Sequence, residues 1–497
     1  MSKISSLAQK VTNAFKSGRT QPLEWRKSQL TALRSLLVDN ETRILNAVQA
    51  DLGKCHGEGW LVETQTPINS IDQSLAKIDK WVKPRVVHTD MMNFPAKSMI
   101  YPEPLGTALI VGCWNYPITL IADPLVAAIT AGNSVVIKTG SEDHAKESMK
   151  VLVDLIPKYM DPEAIGIVDG GYDVLQDCLK ERWDIVFATG SPNLGRLVAE
   201  HCVPHLTKAI LELGGKSPVY VGRNAKLDTA AKRIVWASLG INAGQTCIRP
   251  DHLFVDNTVA DEFIEHMKRE VVAMYGENPK ESPEYGRIAK VKSFYNRLID
   301  ILQKDSKYIV HGGDFDASQF YIQPTIMDFG EDSVAYHKSA AMSDEIFGPI
   351  LPVLRVSNAD EAIESILTRE KPLALYAYTN DEHVQEKFMK VSAGTLQFND
   401  SITFMMNHDL PFGGVGNSGC GKYHGEKGFE EFSHMKSVLV NTNLNDLPSR
   451  FAPQTSMDMT ILGAAHRHMP EALVTAVNNL PAIGGVGVVA GLAYYCM

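Results

Sequence analysis

The sequence predicts an α/β protein with two parallel-sheet domains and a small extended arm, and three observations carry that reading. A chain of 497 residues is too long for one compact core. From Leu105 onward, short apolar runs alternate with helical patterns, which is the rhythm of βαβ units. Between Lys83 and Pro104 the prolines Pro84, Pro95, Pro102 and Pro104 punctuate a stretch with no helical period, which suits an arm or a crossover hairpin.

The elements follow in chain order. Ile4, Leu7, Val11 and Phe15 recur at three- and four-residue steps and predict an amphipathic N-terminal helix. A helical run from Pro22 through Ala50, with Leu30, Leu33, Leu36 and Leu37 as its apolar positions, and a second from Ile68 through Trp81 predict a helical platform. Strands are predicted at Ala108 to Gly112, Ser134 to Ile137, Ile165 to Val168 and Ile185 to Ala188, with a helix over Leu125 to Thr130. After Lys216 a second block opens: a strand at Val219 to Val221, a helix from Leu227 to Ile241, and strands at Leu253 to Val255 and Leu351 to Arg355.

Composition bounds the function. With 44% hydrophobic and 21% charged residues the chain is globular, and its net charge of −10 argues against a nucleic-acid surface. Cys55, Cys113, Cys178, Cys202, Cys247, Cys420 and Cys496 are scattered and show no CxxC spacing, so neither a disulfide framework nor a zinc site is expected, and a reducing compartment is. Lys3, Lys10, Lys16 and Arg19 precede the first acid, Glu24, a pattern shared with transit peptides. The sequons at Asn40 and Asn399 lack a secretory context.

Two segments point to chemistry together. Leu211-Glu212-Leu213-Gly214-Gly215-Lys216 offers a carboxylate beside a glycine pair, and Asn242-Ala243-Gly244-Gln245-Thr246-Cys247 ends a small-residue turn on a thiol. A carboxylate that activates water and a cysteine that forms and releases a thioester are the minimal kit for oxidising an aldehyde to an acid. Asn115, in Cys113-Trp114-Asn115-Tyr116-Pro117, is placed to donate its amide to an oxygen that becomes negative. Asp184 to Ala188 runs straight into Thr189-Gly190-Ser191-Pro192, where Ser191 caps and Pro192 starts a helix whose free amides suit a dinucleotide, although the glycines do not form GxGxxG. Glu345 and Phe347 lie two residues apart and would point the same way in an extended segment. The glycine-rich stretch Leu410 to Gly419 lacks phosphate-loop spacing and reads as backbone contortion.

These segments, with Glu345-Ile346-Phe347-Gly348-Pro349 and Leu410-Pro411-Phe412-Gly413-Gly414, resemble aldehyde dehydrogenase motifs in family order from Gly106 to His434. Gly416 through Gly425, followed by Phe432-Ser433-His434, is similar to the class 3 branch that includes fatty aldehyde dehydrogenases. The resemblance implies the aldehyde dehydrogenase fold: a Rossmann-like dinucleotide-binding domain over 1–82 and 105–213, a catalytic α/β domain over 214–415, and a dimerisation arm over 83–104 and 434–450. It makes Cys247 the nucleophile, gives the oxyanion to the Asn115 side chain and the Cys247 backbone amide, and makes Glu212 the base for hydrolytic water. Lys138 would hold the adenosine ribose, Gly190 and Ser191 would approach the dinucleotide, and Glu345 and Phe347 would position the nicotinamide ribose. Cofactor NAD or NADP, a small-molecule aldehyde and a homodimer are implied, with no metal.

One departure bears on the cofactor. Where the family has Lys-Pro-Ser-Glu, this chain reads Lys138-Thr139-Gly140-Ser141, with Glu142 one position late, so the carboxylate that repels a 2′-phosphate is replaced by Ser141 and NADP becomes admissible. Two rivals stand beside aldehyde oxidation: an acylating dehydrogenase that passes the acyl group to coenzyme A, and a non-catalytic structural protein on the same fold. Glu212 favours hydrolysis over the first, and the intact Cys247, Glu212 and Asn115 oppose the second. After Glu471 no charged residue follows, and the apolar run from Leu480 to Met497 is about 27 Å long as a helix, enough for a hydrocarbon core. The tail, 471–497, is therefore expected to anchor the protein to a membrane, with its catalytic domains facing the cytosol, at the endoplasmic reticulum by the fatty aldehyde dehydrogenase resemblance.

Overall fold

The computed structural model describes residues 2–90, 92–93, 96–140, 144–442 and 448–466. Contacts divide it into two units, Met1–Ile78 with Pro104–Phe432, and Asp79–Glu103 with Ser433–Met497. Both predicted sheets lie in the first unit.

The first sheet has six strands in the order Gly419–Cys420, Lys208–Leu213, Ile185–Gly190, Thr107–Val111, Ser134–Lys138 and Ile165–Val168. All but the Gly419–Cys420 edge strand run parallel. Thr107–Val111 and Ser134–Lys138 are buried at every position, which is why they read as unbroken apolar runs. Chain order reverses at Thr107–Val111, and the carboxyl ends of it and of Ile185–Gly190 flank the switch point where open α/β sheets hold their ligands. The N-terminal helix Lys3–Lys16 belongs to this core: Ile4, Ala8 and Val11 cluster with Leu109, Val111 and Val136.

The second sheet has seven strands: Ile309–His311, Thr325–Asp328, Ile350–Val356, His252–Asp256, Pro218–Val221, Ala374–Tyr378 and Thr395–Phe398, in that order. The first of these pairs antiparallel at the edge and the rest are parallel. In the second unit, Arg85–Val86, Lys97–Pro104 and Ser433–Val440 form a three-stranded sheet.

Two expected helices differ from their sequence reading. The run from Pro22 through Ala50 is two helices, Leu23–Asp39 and Glu41–Leu52, because Asn40 leaves helical geometry at φ −116° while its amide turns back to the Leu36 carbonyl at 2.9 Å. The helix predicted to reach Ile241 stops at Val235 and widens into a π-type turn over Trp236–Gly240. There Gly240 lies against the Tyr275 hydroxyl with no room for a side chain, a tertiary constraint that periodicity does not carry.

Candidate active site

A cleft of about 400 Å³ opens along the carboxyl ends of the first sheet. Cys247, Glu212, Asn115, Lys138, Gly190, Ser191, Glu345 and Phe347 all line it. These residues are spread over 233 positions of sequence, so only the fold brings them together. Ser141 and Glu142, on which the cofactor reading turns, lie outside the described residues, as does the tail from residue 467 onward.

Cys247 is delivered by a strained turn. Asn242, Ala243 and Gly244 take φ values of 51°, 47° and 74°, three consecutive left-handed residues of which glycine alone tolerates the conformation freely. Side chains hold the turn. Asn242 Nδ2 donates to the carbonyls of Asn115 (2.8 Å) and Gln245 (2.9 Å), and Gln245 Nε2 donates to the carbonyls of Asn242 and Arg287 at 2.9 Å each. The Ala289 amide donates back to Gln245 Oε1 at 2.8 Å. A hydroxyl pair, Tyr116 with Thr246 at 2.6 Å, fixes the residue before the thiol.

Asn115 follows the Thr107–Val111 strand and is 2% exposed. One hydrogen of its Nδ2 goes to the Gln245 carbonyl at 3.1 Å, and a carbonyl can only accept, which orients the amide and leaves its second hydrogen for the cleft. Its main-chain carbonyl receives Lys54 Nζ at 2.8 Å, and Lys54 also pairs with Glu63 at 2.6 Å with both side chains 0% exposed. Glu63 in turn accepts from the amides of Ile118 (3.1 Å) and Thr119 (3.3 Å). Sequence reasoning missed this support and read the first ninety residues only as platform. The sequence carried no clear signal, since Lys54 sits among other polar residues, Asp51, His56 and Glu58, just past the helix that ends at Leu52.

Glu212, on the Lys208–Leu213 strand, is 3% exposed, and among the described residues neither of its carboxylate oxygens receives a hydrogen bond. Burial pushes its carboxyl well above the usual range, with Lys422 opposing. Glu345 is pushed up to about 8, first by burial and then by Asp251, against the Gly215 amide and Lys216. Burial raises the Cys247 thiol too, reinforced by Glu345, Glu212 and Cys113. The three groups therefore share a desolvated site, and the two carboxylates add to the burial that keeps the thiol from ionising. Cys113 also lines the cleft, and burial lifts it to about 11.

Glu345 and Phe347 reach the cleft by a route other than the extended segment expected. Phe347 has φ 54°, so alternation along a strand does not orient this pair. Anchors set it instead: the Ile346 amide donates to Asp251 Oδ1 at 2.9 Å, Arg297 donates to the Glu345 carbonyl at 3.0 Å, and Phe347 packs edge-on to Trp114 with centroids 5.5 Å apart.

The dinucleotide side fits its expected ligand. Ser191 caps the helix Pro192–Cys202 by accepting from the Leu194 amide at 3.3 Å, as predicted, so the first turn faces the cleft at a strand end. Gly190 has Leu194 where a side chain would sit, and Gly214 has Glu345 in that place, so neither position along the cleft has room for a side chain. Among the described residues Glu345 Oε1 is buried without a hydrogen-bond partner, an acceptor matched to a ribose hydroxyl. Lys138 ends the Ser134–Lys138 strand and bonds the Thr139 carbonyl at 2.8 Å.

Comparison with known proteins agrees with this geometry. Residues 2–438 match the aldehyde dehydrogenase family. A dimeric NADP-preferring aldehyde dehydrogenase of Canis lupus familiaris is 38% identical over 91% of this chain and 98% of its own. Aldehyde dehydrogenase family 3 member F1 of Arabidopsis thaliana is 38% identical over 93% and 96%, and family 3 member A2 of Pongo abelii is 39% identical over 87% of each chain. Among solved structures, a substrate-bound Staphylococcus aureus AldH superposes with a TM-score of 0.89 at 36% identity, covering 93% of this chain and 99% of that one. The resemblance read from the motifs, including its class 3 branch and its fold, is borne out: the chain belongs to the aldehyde dehydrogenase family.

Proposed function

We propose that this NAD(P)-dependent aldehyde dehydrogenase oxidises a medium- to long-chain aliphatic aldehyde to the carboxylic acid through a thiohemiacetal and then a thioester on Cys247. The observation that carries the reading is the convergence of Cys247, Glu212, Asn115 and Glu345 on one cleft. Cys247 Sγ, its proton given up to solvent, adds to the aldehyde carbon as the thiolate, which leaves the carboxylate of Glu212 free for the later step. The free hydrogen of the Asn115 amide and the Cys247 backbone amide stabilise the alkoxide. The bound nicotinamide supplies the acceptor for the hydride that leaves the former aldehyde carbon. Glu212 then takes a proton from water as it attacks the thioester, and Cys247 departs as thiolate.

Lys138, Gly190 and Ser191 are assigned to the dinucleotide, Glu345 and Phe347 to the nicotinamide ribose, and Ser141 to a ribose pocket that admits a 2′-phosphate. The preference for fatty aldehydes rests on the class 3-like stretch Gly416 through Gly425 and on the apolar tail. A homodimer is supported by the dimeric relative and by the arm, read as 83–104 with 434–450. With the tail as anchor, the protein is assigned to the cytoplasmic face of a membrane, the endoplasmic reticulum by that same resemblance. Among the described residues no helix is long and apolar enough to cross a membrane.

A grid of initial rates tests the reading. Short, aromatic and long-chain aldehydes are paired with NAD and with NADP, and products are resolved as free acid or, with coenzyme A present, acyl-CoA. Highest kcat/KM on long-chain aldehydes with free acid as product is expected. Acyl-CoA as the main product would replace hydrolysis by acyl transfer.

A further inference from the structure

Away from the cleft, the first unit gathers three ligand-type side chains that the proposed reaction does not use. Asp123 comes from the helix Thr119–Ala131, His408 from the loop after Met406, and His424 from the position before the helix Gly425–Glu431. They are 3%, 5% and 4% exposed, and none lines the Cys247 cleft. One ligand atom from each lies within 4.8 Å of the other two, the only group of this kind among the described residues.

Four of their six polar side-chain atoms are unsatisfied among the described residues. Asp123 Oδ1 and Oδ2, His408 Nε2 and His424 Nδ1 have no hydrogen-bond partner among the described residues. His424 Nε2 lies 3.7 Å from Asp123 Oδ2, too long for a hydrogen bond. A buried ionised carboxylate that accepts nothing is strongly disfavoured, and a bound cation supplies the missing interaction.

The backbone is also strained to build the cluster. His424 holds φ 79° and ψ 132°, outside the conformations a side-chain-bearing residue adopts readily, and its ring comes to 4.7 Å from that of His408. Gly425 follows at φ 50° with the His408 carbonyl where a side chain would sit, so the chain passes His408 only because this residue is glycine. Phe412 and Tyr423 wall the site, with ring centroids 5.4 Å and 4.6 Å from His424.

We propose that Asp123, His408 and His424 form a binding site for a divalent transition-metal ion, with zinc as the ion that two imidazoles and one carboxylate suit best. Tetrahedral zinc takes nitrogen and carboxylate ligands at about 2.0–2.2 Å, so the three side chains close inward by a small shift and leave a fourth position for water or a small anion. The ion would tie the loop after Met406 to the helix Thr119–Ala131.

Chelator-stripped full-length protein is titrated with zinc sulfate against a chromophoric competitor. About one equivalent with sub-micromolar affinity is expected, weakened about a hundredfold or more in Asp123→Asn and in His408→Gln and unchanged in Cys247→Ser and Cys113→Ser. Affinity unchanged in both ligand variants, or lost in a cysteine variant, overturns the proposal, as does failure of the wild type to bind. Should the ligand variants fail to fold, the cobalt-loaded wild type decides. Visible d–d bands of a tetrahedral ion without a thiolate charge-transfer band support the site, whereas a thiolate band or no visible bands refutes it.

Discussion

Lys54 Nζ donates to the main-chain carbonyl of Asn115 at 2.8 Å, from a position where neither Lys54 nor its partner Glu63 exposes any side-chain surface. The contact is a structural finding with a catalytic consequence. Glu63 holds the amides of Ile118 and Thr119, Lys54 holds Asn115, and Asn242 holds the same carbonyl from the other side at 2.8 Å. Asn115, proposed above as the oxyanion donor, and the turn that delivers Cys247 are thus fixed to one buried ion pair.

Removing one partner of such a pair leaves an uncompensated buried charge. Lys54→Met should destabilise the protein by about 3–5 kcal/mol in chemical denaturation, because Glu63 is left with only the two amides. Glu63→Gln together with Lys54→Met should recover part of that loss. A loss below about 1 kcal/mol for Lys54→Met would show that the pair does not organise this corner.

The division of labour between the thiol and the carboxylate predicts distinct kinetics. Cys247→Ala should abolish turnover. Glu212→Gln should retain a burst of reduced cofactor while steady-state turnover falls by about 10²–10⁴-fold, since a general base is lost from deacylation. A stopped-flow trace separates the phases. Equal loss of burst and steady state would assign thiol activation to Glu212 as well.

Glu345, raised to about 8, gives a pH signature with a definite sign. Its folded carboxyl binds a proton that the unfolded chain, titrating near 4.5, has already released, so folding stability without cofactor should fall as pH rises from about 4.5 through 8. Glu345→Gln should flatten that slope in denaturation measured across the range. Glu212, also raised by burial, must lose its proton to act as base, so kcat should increase with pH beyond the ordinary carboxylate range. A stability slope unchanged by Glu345→Gln would show that another group carries it.

Much of the site was legible in sequence because its chemistry is local. Ser191 and Pro192 announce a helix start, apolar runs announce buried strands, and a thiol after a small-residue turn and a carboxylate beside two glycines stand out by type. What stayed hidden depends on tertiary contact. Neither the π-type turn at Trp236–Gly240 nor the positive φ of Phe347 leaves a periodic trace. Lys54 and Glu63 look like surface charges on helices until the fold buries them. Asp123, His408 and His424 lie 285 and 16 residues apart, a spacing that resembles no metal motif, which is why no metal was expected from sequence.

The cofactor prediction rests on Ser141. Since it stands where the family carries a glutamate, measurable turnover with NADP is expected, and Ser141→Glu should depress the NADP rate while sparing NAD. One bidentate acceptor-for-hydroxyl change of this kind moves relative kcat/KM by about tenfold or more, corresponding to 1.4 kcal/mol. A wild type wholly inactive with NADP would put Glu142 or another acid in the ribose pocket.

The apolar run Leu480 to Met497 carries the last prediction. As a helix of about 1.5 Å per residue it reaches about 27 Å, close to the thickness of a hydrocarbon core. Gly487 and Gly491 form a small-xxx-small pair, Tyr494 and Tyr495 suit an interface, and Arg467 upstream fits a cytosolic start. Pro481, Gly484 and Gly485 work against a continuous helix, so the balance depends on apolarity outweighing helix propensity in lipid. Deleting residues 480–497 should move the enzyme from carbonate-washed membranes to the supernatant and leave kcat/KM on short aldehydes within about twofold, because every described cleft residue lies before Gly348. Full-length protein recovered wholly in the soluble fraction would remove the anchor, and with it the delivery of long-chain aldehydes from the bilayer.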